Sequence, residues 1–164
     1  MKNISFAENK IISIDKIIPF VLAERVKGKT IAFTNGCFDI LHEGHIYSLS
    51  QAAKQADILI VGVNSDASVG TLKGTGRPIN NEKSRALLLA NLLITDAVVI
   101  FNEDTPLELI KTILPDVLVK GGDYTVTEIA GAKEVIAAGG KVVINSIVPG
   151  FSTTGIIKKI QLEK

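Results

Sequence analysis

The sequence predicts an α/β protein, a doubly wound parallel sheet of five strands with helices on both faces. Three observations carry that prediction. Five short β-branched runs are near-continuously apolar, as strands buried on both faces are. The runs begin at positions 30, 58, 97, 117 and 141, so each gap has room for a helical crossover. Apolar residues at helical spacing fill the segments between them.

The elements follow in order. Residues 1–28 are expected to form an N-terminal appendage with a helix from about Asp15 to Val26, where Pro19 fits only in the first turn. Thr30–Phe33 is the first strand, and Ile46, Leu49, Ala53 and Ala56 mark the helix after it. Ile58–Val63 is the second strand. The stretch Gly70 to Gly76 then reads as a Gly-rich, mobile loop suited to closing over a substrate. Leu87, Leu88, Asn91 and Leu92 recur at helical spacing with one polar position, before the third strand at Ala97–Phe101. Thr105 is a plausible cap for a helix that Pro106 opens and Pro115 ends. Val117–Val119 is the fourth strand, and Thr127 to Ala138 a helix closed by Gly139-Gly140. Lys141–Ile144 is the fifth, and the last helix starts near Ser152 or Thr153 with Ile156, Ile157 and Ile160 along it. No repeat, low-complexity tract or linker divides residues 29–164, so one domain is expected.

Composition narrows the function. Hydrophobic residues make up 46% and charged residues 21% of the 164, which excludes disorder. Lys+Arg 18 against Asp+Glu 17 leaves +1, without the basic surplus of a general nucleic-acid binder. The richest apolar run, Ala86 to Phe101, is broken by Asn91, Thr95 and Asp96, so no membrane span is expected. A single cysteine, Cys37, excludes an internal disulfide framework. Met1 to Lys10 lacks the apolar core of a signal peptide, and a cytoplasmic domain is the expectation.

Ligands of such a sheet bind beyond the carboxyl ends of its strands. The polar residues there are Thr34-Asn35-Gly36, Asn64-Ser65-Asp66, Lys120-Gly121-Gly122-Asp123 and the run Pro149 to Thr154. The densest constellation runs from Thr34 through Asp39 to His45. His42 and His45 share a helical face, and Gly44 between them lets a ligand approach the backbone. A helix N-terminus with two imidazoles beside it suits phosphate, without a Walker or G-x-G-x-x-G pattern. Two histidines fall short of a zinc ligand set, with only Cys37 or Asp39 nearby to extend it, and no metal-ligating side chains are assigned. Cys37 itself reads as a small buried hydrophobe. Asp39 orients a histidine, contacts a metal–phosphate complex or caps the helix. Ser152-Thr153-Thr154 alone reads as a plain N-cap, but its place after the fifth strand favours phosphate. Lys120 to Asp123 is an ordinary strand-to-helix turn or a frame for a nucleotide. Lys73, Arg77 and Arg85 supply positive charge.

His42-Glu43-Gly44-His45 resembles the H-x-G-H signature of the nucleotidyltransferase superfamily that includes cytidylyltransferases and class I tRNA synthetases. Further blocks are similar to the adenylyltransferase half of bifunctional ADP-heptose synthases. They are Phe33 to Asp39, Val61 to Asp66, Leu72 to Asn80, Val117 to Tyr124 and Ser152-Thr153-Thr154, with Gly155 as a departure. The resemblance covers nearly everything after residue 29. It implies a Rossmann-like fold and attack by D-glycero-β-D-manno-heptose 1-phosphate on the α-phosphate of ATP. Pyrophosphate leaves and ADP-heptose, a lipopolysaccharide precursor, forms, with Mg²⁺ carried on the ATP phosphates. His42, His45 and Lys73 would be catalytic. Thr34, Asn35, Gly36 and Phe38 would lie along the nucleotide, Lys120, Gly121 and Asp123 around its base and ribose. Ser152, Thr153 and Thr154 would take the β- and γ-phosphates. Asp39, Lys73, Arg77 and Arg85 would serve the acceptor and the phosphates. The sugar-kinase half has no counterpart here, so a separate kinase would act upstream; a homodimer is a further expectation. Two alternatives stand beside this reading: a related enzyme of the glycerol-3-phosphate cytidylyltransferase or FAD synthetase type, and a nucleotide-binding module without turnover.

Overall fold

The computed structural model describes residues 4–146 and 148–162. The outer limits expected for the two segments, residues 1 and 164, lie outside the described residues. Strands β1 (Ile31–Gly36), β2 (Ile58–Asn64), β3 (Ala97–Phe101), β4 (Val117–Gly121) and β5 (Lys141–Asn145) form one parallel sheet in the order β3-β2-β1-β4-β5. The helices are α1 (Ile14–Val26), α2 (Glu43–Ala53), α3 (Asp66–Lys73), α4 (Glu82–Ala90), α5 (Leu107–Ile113), α6 (Ala132–Ala137) and α7 (Thr153–Leu162).

Strand side chains alternate between two cores. Ile31, Phe33, Ile60, Val99 and Leu118 face helices α1, α5 and α6, which contribute Ile17, Val21, Ile110 and Val135. Ala32, Leu59, Val61, Val98 and Val119 face α2 and α4, which contribute Leu49, Ala52, Ala86 and Leu89. Burial on both sides explains the unbroken apolar runs.

At the amino end of the sheet one device recurs. Asp57, Asp96 and Asp116 each stand just before a strand and accept a backbone N–H from a neighbouring chain segment. The donors are Thr30, Leu59 and Ile31, at 2.9, 2.8 and 2.8 Å. Carboxylates thereby satisfy donors that the ladder leaves open.

Four expectations change. The N-terminal segment is built into the fold: Ile12 N–H donates to the Val98 carbonyl at 2.8 Å, and Ile17 and Val21 are buried. Pro19 lies beyond the first turn of α1. The carbonyl it leaves without a helical donor belongs to exposed Asp15, where water can serve it. The stretch expected as a glycine loop is helical through Lys73, because the Ser65 hydroxyl accepts from Ser68 N–H and Val69 is buried. Gly74, at φ +84°, ends that helix. Finally, the helix expected from Thr127 to Ala138 is split. A 3₁₀ turn at Val126–Glu128 precedes α6, and Gly131 between them adopts φ +83° with its position 2.6 Å from Ile110 if a Cβ were added.

Candidate active site

The strand order reverses at β1, so the crevice opens between the carboxyl ends of β1 and β4. Lys120 on β4 reaches across it, its Nζ donating to Asn35 Oδ1 on β1 at 3.2 Å. Two cavities flank this crossing.

The first cavity, about 400 Å³, is lined by Phe38, His42, His45, Arg77, Phe151 and Ser152-Thr153-Thr154. His42 is the N-cap residue of α2 and His45 lies in its first turn. Their rings stack with centroids 3.8 Å apart. The Phe38 ring meets His45 edge-on at 5.4 Å, and Phe38 holds φ +48°, a backbone region costly for a bulky residue. Gly44 is needed for crowding: an added Cβ would sit 3.1 Å from the His42 ring and 3.2 Å from the Phe151 Cβ. Nδ1 of each histidine is buried without a hydrogen-bond partner among the described residues. Burial lowers the His42 pKa. Burial, and then repulsion from His42, lowers that of His45 to about 4. Without a ligand, His45 is therefore a neutral imidazole at pH 7. The α7 N-terminus faces the same cavity. Ser152 Oγ accepts from Gly155 N–H at 3.0 Å, and an added Cβ at Gly155 would sit 3.0 Å from that oxygen. Gly155 thus gives the cap its room.

The second cavity, about 360 Å³, is lined by Asn35, Gly36, Asn64, Asp104, Lys120, Tyr124 and Glu128 among others. Burial lowers the Lys120 pKa, and Lys73 adds repulsion. Lys73 and Cys37 line both cavities. Burial raises the Cys37 thiol pKa, although Lys73, Arg85 and Arg77 oppose it, so the group stays protonated at neutral pH.

The expected nucleotide set is divided. Phe38, Ser152, Thr153 and Thr154 line the first cavity, whereas Asn35, Gly36 and Lys120 line the second. Thr34 is buried at 4% exposure, and Gly121 packs against Ser48. Neither these two nor exposed Asp123 lines either cavity.

Asp39 and Arg85 are held by protein groups. The Asp39 carboxylate has 0% exposure and accepts from Arg77 Nε at 2.6 Å and from the N–H groups of Ile79 and Asn80 at 2.8 Å. Burial pushes its pKa up, but those donors outweigh it and hold the group below its ordinary value. Arg85 has 0% exposure, and its guanidinium donates to the carbonyls of Cys37 and Asn80 and to Asp66. Both fasten the loop after α3 to the loop after β1; Asp39 lines the first cavity, whereas Arg85 lines neither.

Sequence reasoning missed Cys37, Tyr124 and Phe151 as lining residues, and Asp104 and Glu128 altogether. The polar run Asn102 to Thr105 after the third strand was the available signal.

Residues 33–159 match the family model described as cytidylyltransferase-like. The bifunctional protein HldE of Rhodopseudomonas palustris (strain BisB5) is 54% identical over 154 residues, covering 93% of this chain and 31% of that protein. The HldE of Paramagnetospirillum magneticum is 51% identical over 159 residues, covering 97% and 33%. The chain therefore spans about a third of the length of these curated relatives. Among solved structures, a lipopolysaccharide core biosynthesis protein from Thermoplasma volcanium GSS1 superposes with TM-score 0.61 at 28% identity. It covers 74% of this chain and 98% of that one. A pantoate–β-alanine ligase from Francisella tularensis shares the fold, with TM-score 0.58 at 14% identity over 93% of this chain and 77% of that one.

Proposed function

Since the chain belongs to the cytidylyltransferase-like family of nucleotidyltransferases, we propose that it transfers the adenylyl group of ATP to D-glycero-β-D-manno-heptose 1-phosphate. The similarity to proteins named HldE and to a lipopolysaccharide core biosynthesis protein supports that choice of substrates. The observation that carries the reading is the position of Lys73, a wall residue of both cavities.

The triphosphate occupies the first cavity and the sugar phosphate the second. A sugar-phosphate oxygen attacks the α-phosphorus in line, and the bond from that phosphorus to the bridging oxygen breaks, leaving its electron pair on pyrophosphate. The attacking monoester is already anionic, so no general base is needed. The protein must instead bring two anions together and stabilise charge moving onto the leaving group. His42, His45 and the N-termini of α2 and α7 provide donors for the triphosphate. Lys73 and Lys120 hold the acceptor phosphate.

A magnesium ion would be carried on the triphosphate and would neutralise phosphate charge there, while the imidazoles and helix N-termini of the first cavity would donate to phosphate oxygens rather than ligate the ion. The Asp39 carboxylate beside the cavity is saturated by protein donors, so it would not ligate that ion. No helix among the described residues is long and apolar enough to cross a membrane.

The test is pyrophosphate release from ATP with the heptose 1-phosphate, set against CTP with glycerol 3-phosphate. Turnover with the first pair and none with the second is expected. Equal or greater turnover with the glycerol pair would overturn the assignment.

A further inference from the structure

The second cavity carries side chains that phosphate chemistry does not require. Asp104 follows β3 and Glu128 follows β4, and both line the cavity that Lys73 and Lys120 line. No ion pair joins either carboxylate to either lysine among the described residues. Asp104 makes no hydrogen bond among the described residues. Glu128 uses Oε2 on the Thr125 N–H and hydroxyl, at 2.8 and 2.7 Å. Its Oε1 takes no hydrogen bond among the described residues. Asn64, only 3% exposed, lines the same space and donates Nδ2 to Ser68 Oγ at 3.0 Å. Its Oδ1 takes no hydrogen bond among the described residues.

Ionised carboxylates accept hydrogen bonds and donate none, so they select ligand groups that carry protons. A phosphate is drawn to the lysines and repelled by the acids, whereas a hydroxyl finds acceptors in Asp104, Glu128 and Asn64. We infer that Asp104 and Glu128 are specificity residues of the acceptor cavity, accepting hydrogen bonds from sugar hydroxyls remote from the phosphate. The ligand class is a polyhydroxylated sugar phosphate, and an acceptor lacking the matched hydroxyl forgoes a charge-assisted hydrogen bond. The inference rests on the adenylyl-transfer reading and adds to it the selection of the sugar.

The test uses the full chain and its Asp104→Leu and Glu128→Met variants, which remove the accepting oxygens at similar size. Each is assayed with ATP and either D-glycero-β-D-manno-heptose 1-phosphate or β-D-mannose 1-phosphate, which lacks the seventh carbon and its hydroxyl. Each variant is expected to narrow the ratio of kcat/KM values between the two sugars about tenfold or more. Most of the change should appear in KM for the heptose, with KM for ATP within about twofold of the parent, as loss of ground-state binding requires. A melting curve accompanies Glu128→Met, since the Glu128 carboxylate caps the 3₁₀ turn. If that variant is destabilised, Asp104→Leu decides, since Asp104 supports no other group. An active parent whose ratio is unchanged in Asp104→Leu overturns this inference alone. A parent inactive with every sugar phosphate overturns the adenylyl-transfer reading, and this inference with it.

Discussion

At the scale of single residues, the histidine pair makes stability depend on pH in a defined direction. His45 titrates near 4 in the folded chain against an ordinary 6.5. Between those values the unfolded chain binds a proton that the folded chain refuses, so stability falls as pH drops from 6.5 toward 4. The carboxylates held low, such as Asp39 and Glu128, act mainly below their ordinary 3.8 and 4.5 and so touch only the acid edge of that window. His45→Gln should therefore lose less melting temperature than the parent between pH 6.5 and 4, and parallel curves would sink the account. Arg85 makes a second residue-scale prediction. Arg85→Met leaves the half-buried carbonyls of Cys37 and Asn80 without their donor and breaks the pair with Asp66, whose carboxylate is 40% exposed. A loss of about 1–3 kcal/mol in denaturant unfolding is expected. A variant of parental stability with weakened ATP binding would instead return Arg85 to the phosphates.

Among the elements, α3 changes what Lys73 does. A lysine on a mobile loop would arrive with its substrate, whereas one at the end of a helix capped by Ser65 waits in place. Lys73→Ala should accordingly raise KM for the sugar phosphate by about tenfold or more while ATP affinity, read by calorimetry, changes little, because a charged contact to phosphate is lost. Collapse of ATP affinity with normal sugar-phosphate kinetics would assign Lys73 to the nucleotide. The strands were legible because burial on both faces writes itself as unbroken β-branched runs, and Ala97–Phe101 was read to the residue. Helix α3 was not, since it carries two exposed polar ends and Gly70, and only Val69 and Ser68 are buried. The last α helix before β5 was overextended because Gly131, which breaks it, shows its reason only against Ile110. His42, His45 and the Ser-Thr-Thr run were legible as a motif. Asp104 and Glu128 were not, because loops far apart in sequence meet only through the strand order.

Across the whole molecule, the two ends of the sheet divide the labour. Both cavities open at the carboxyl ends, while Asp57, Asp96 and Asp116 secure the amino ends. Asp116→Ala removes the acceptor of the Ile31 N–H at 2.8 Å, at the start of the central strand. It should cost about 1.5–3 kcal/mol in chemical denaturation, the range for a hydrogen bond to a charged group, and leave KM for both substrates unchanged. A shift in either KM would mean that the two ends are coupled. Segregation of this kind makes the scaffold a chassis for transplantation. The segments bearing Asp104 and Glu128 leave the sheet at its chemical end and touch none of the three anchoring aspartates. Exchanging them for segments of different length and charge should retarget the enzyme to new acceptors by loop grafting, with the open sheet left as a reusable part.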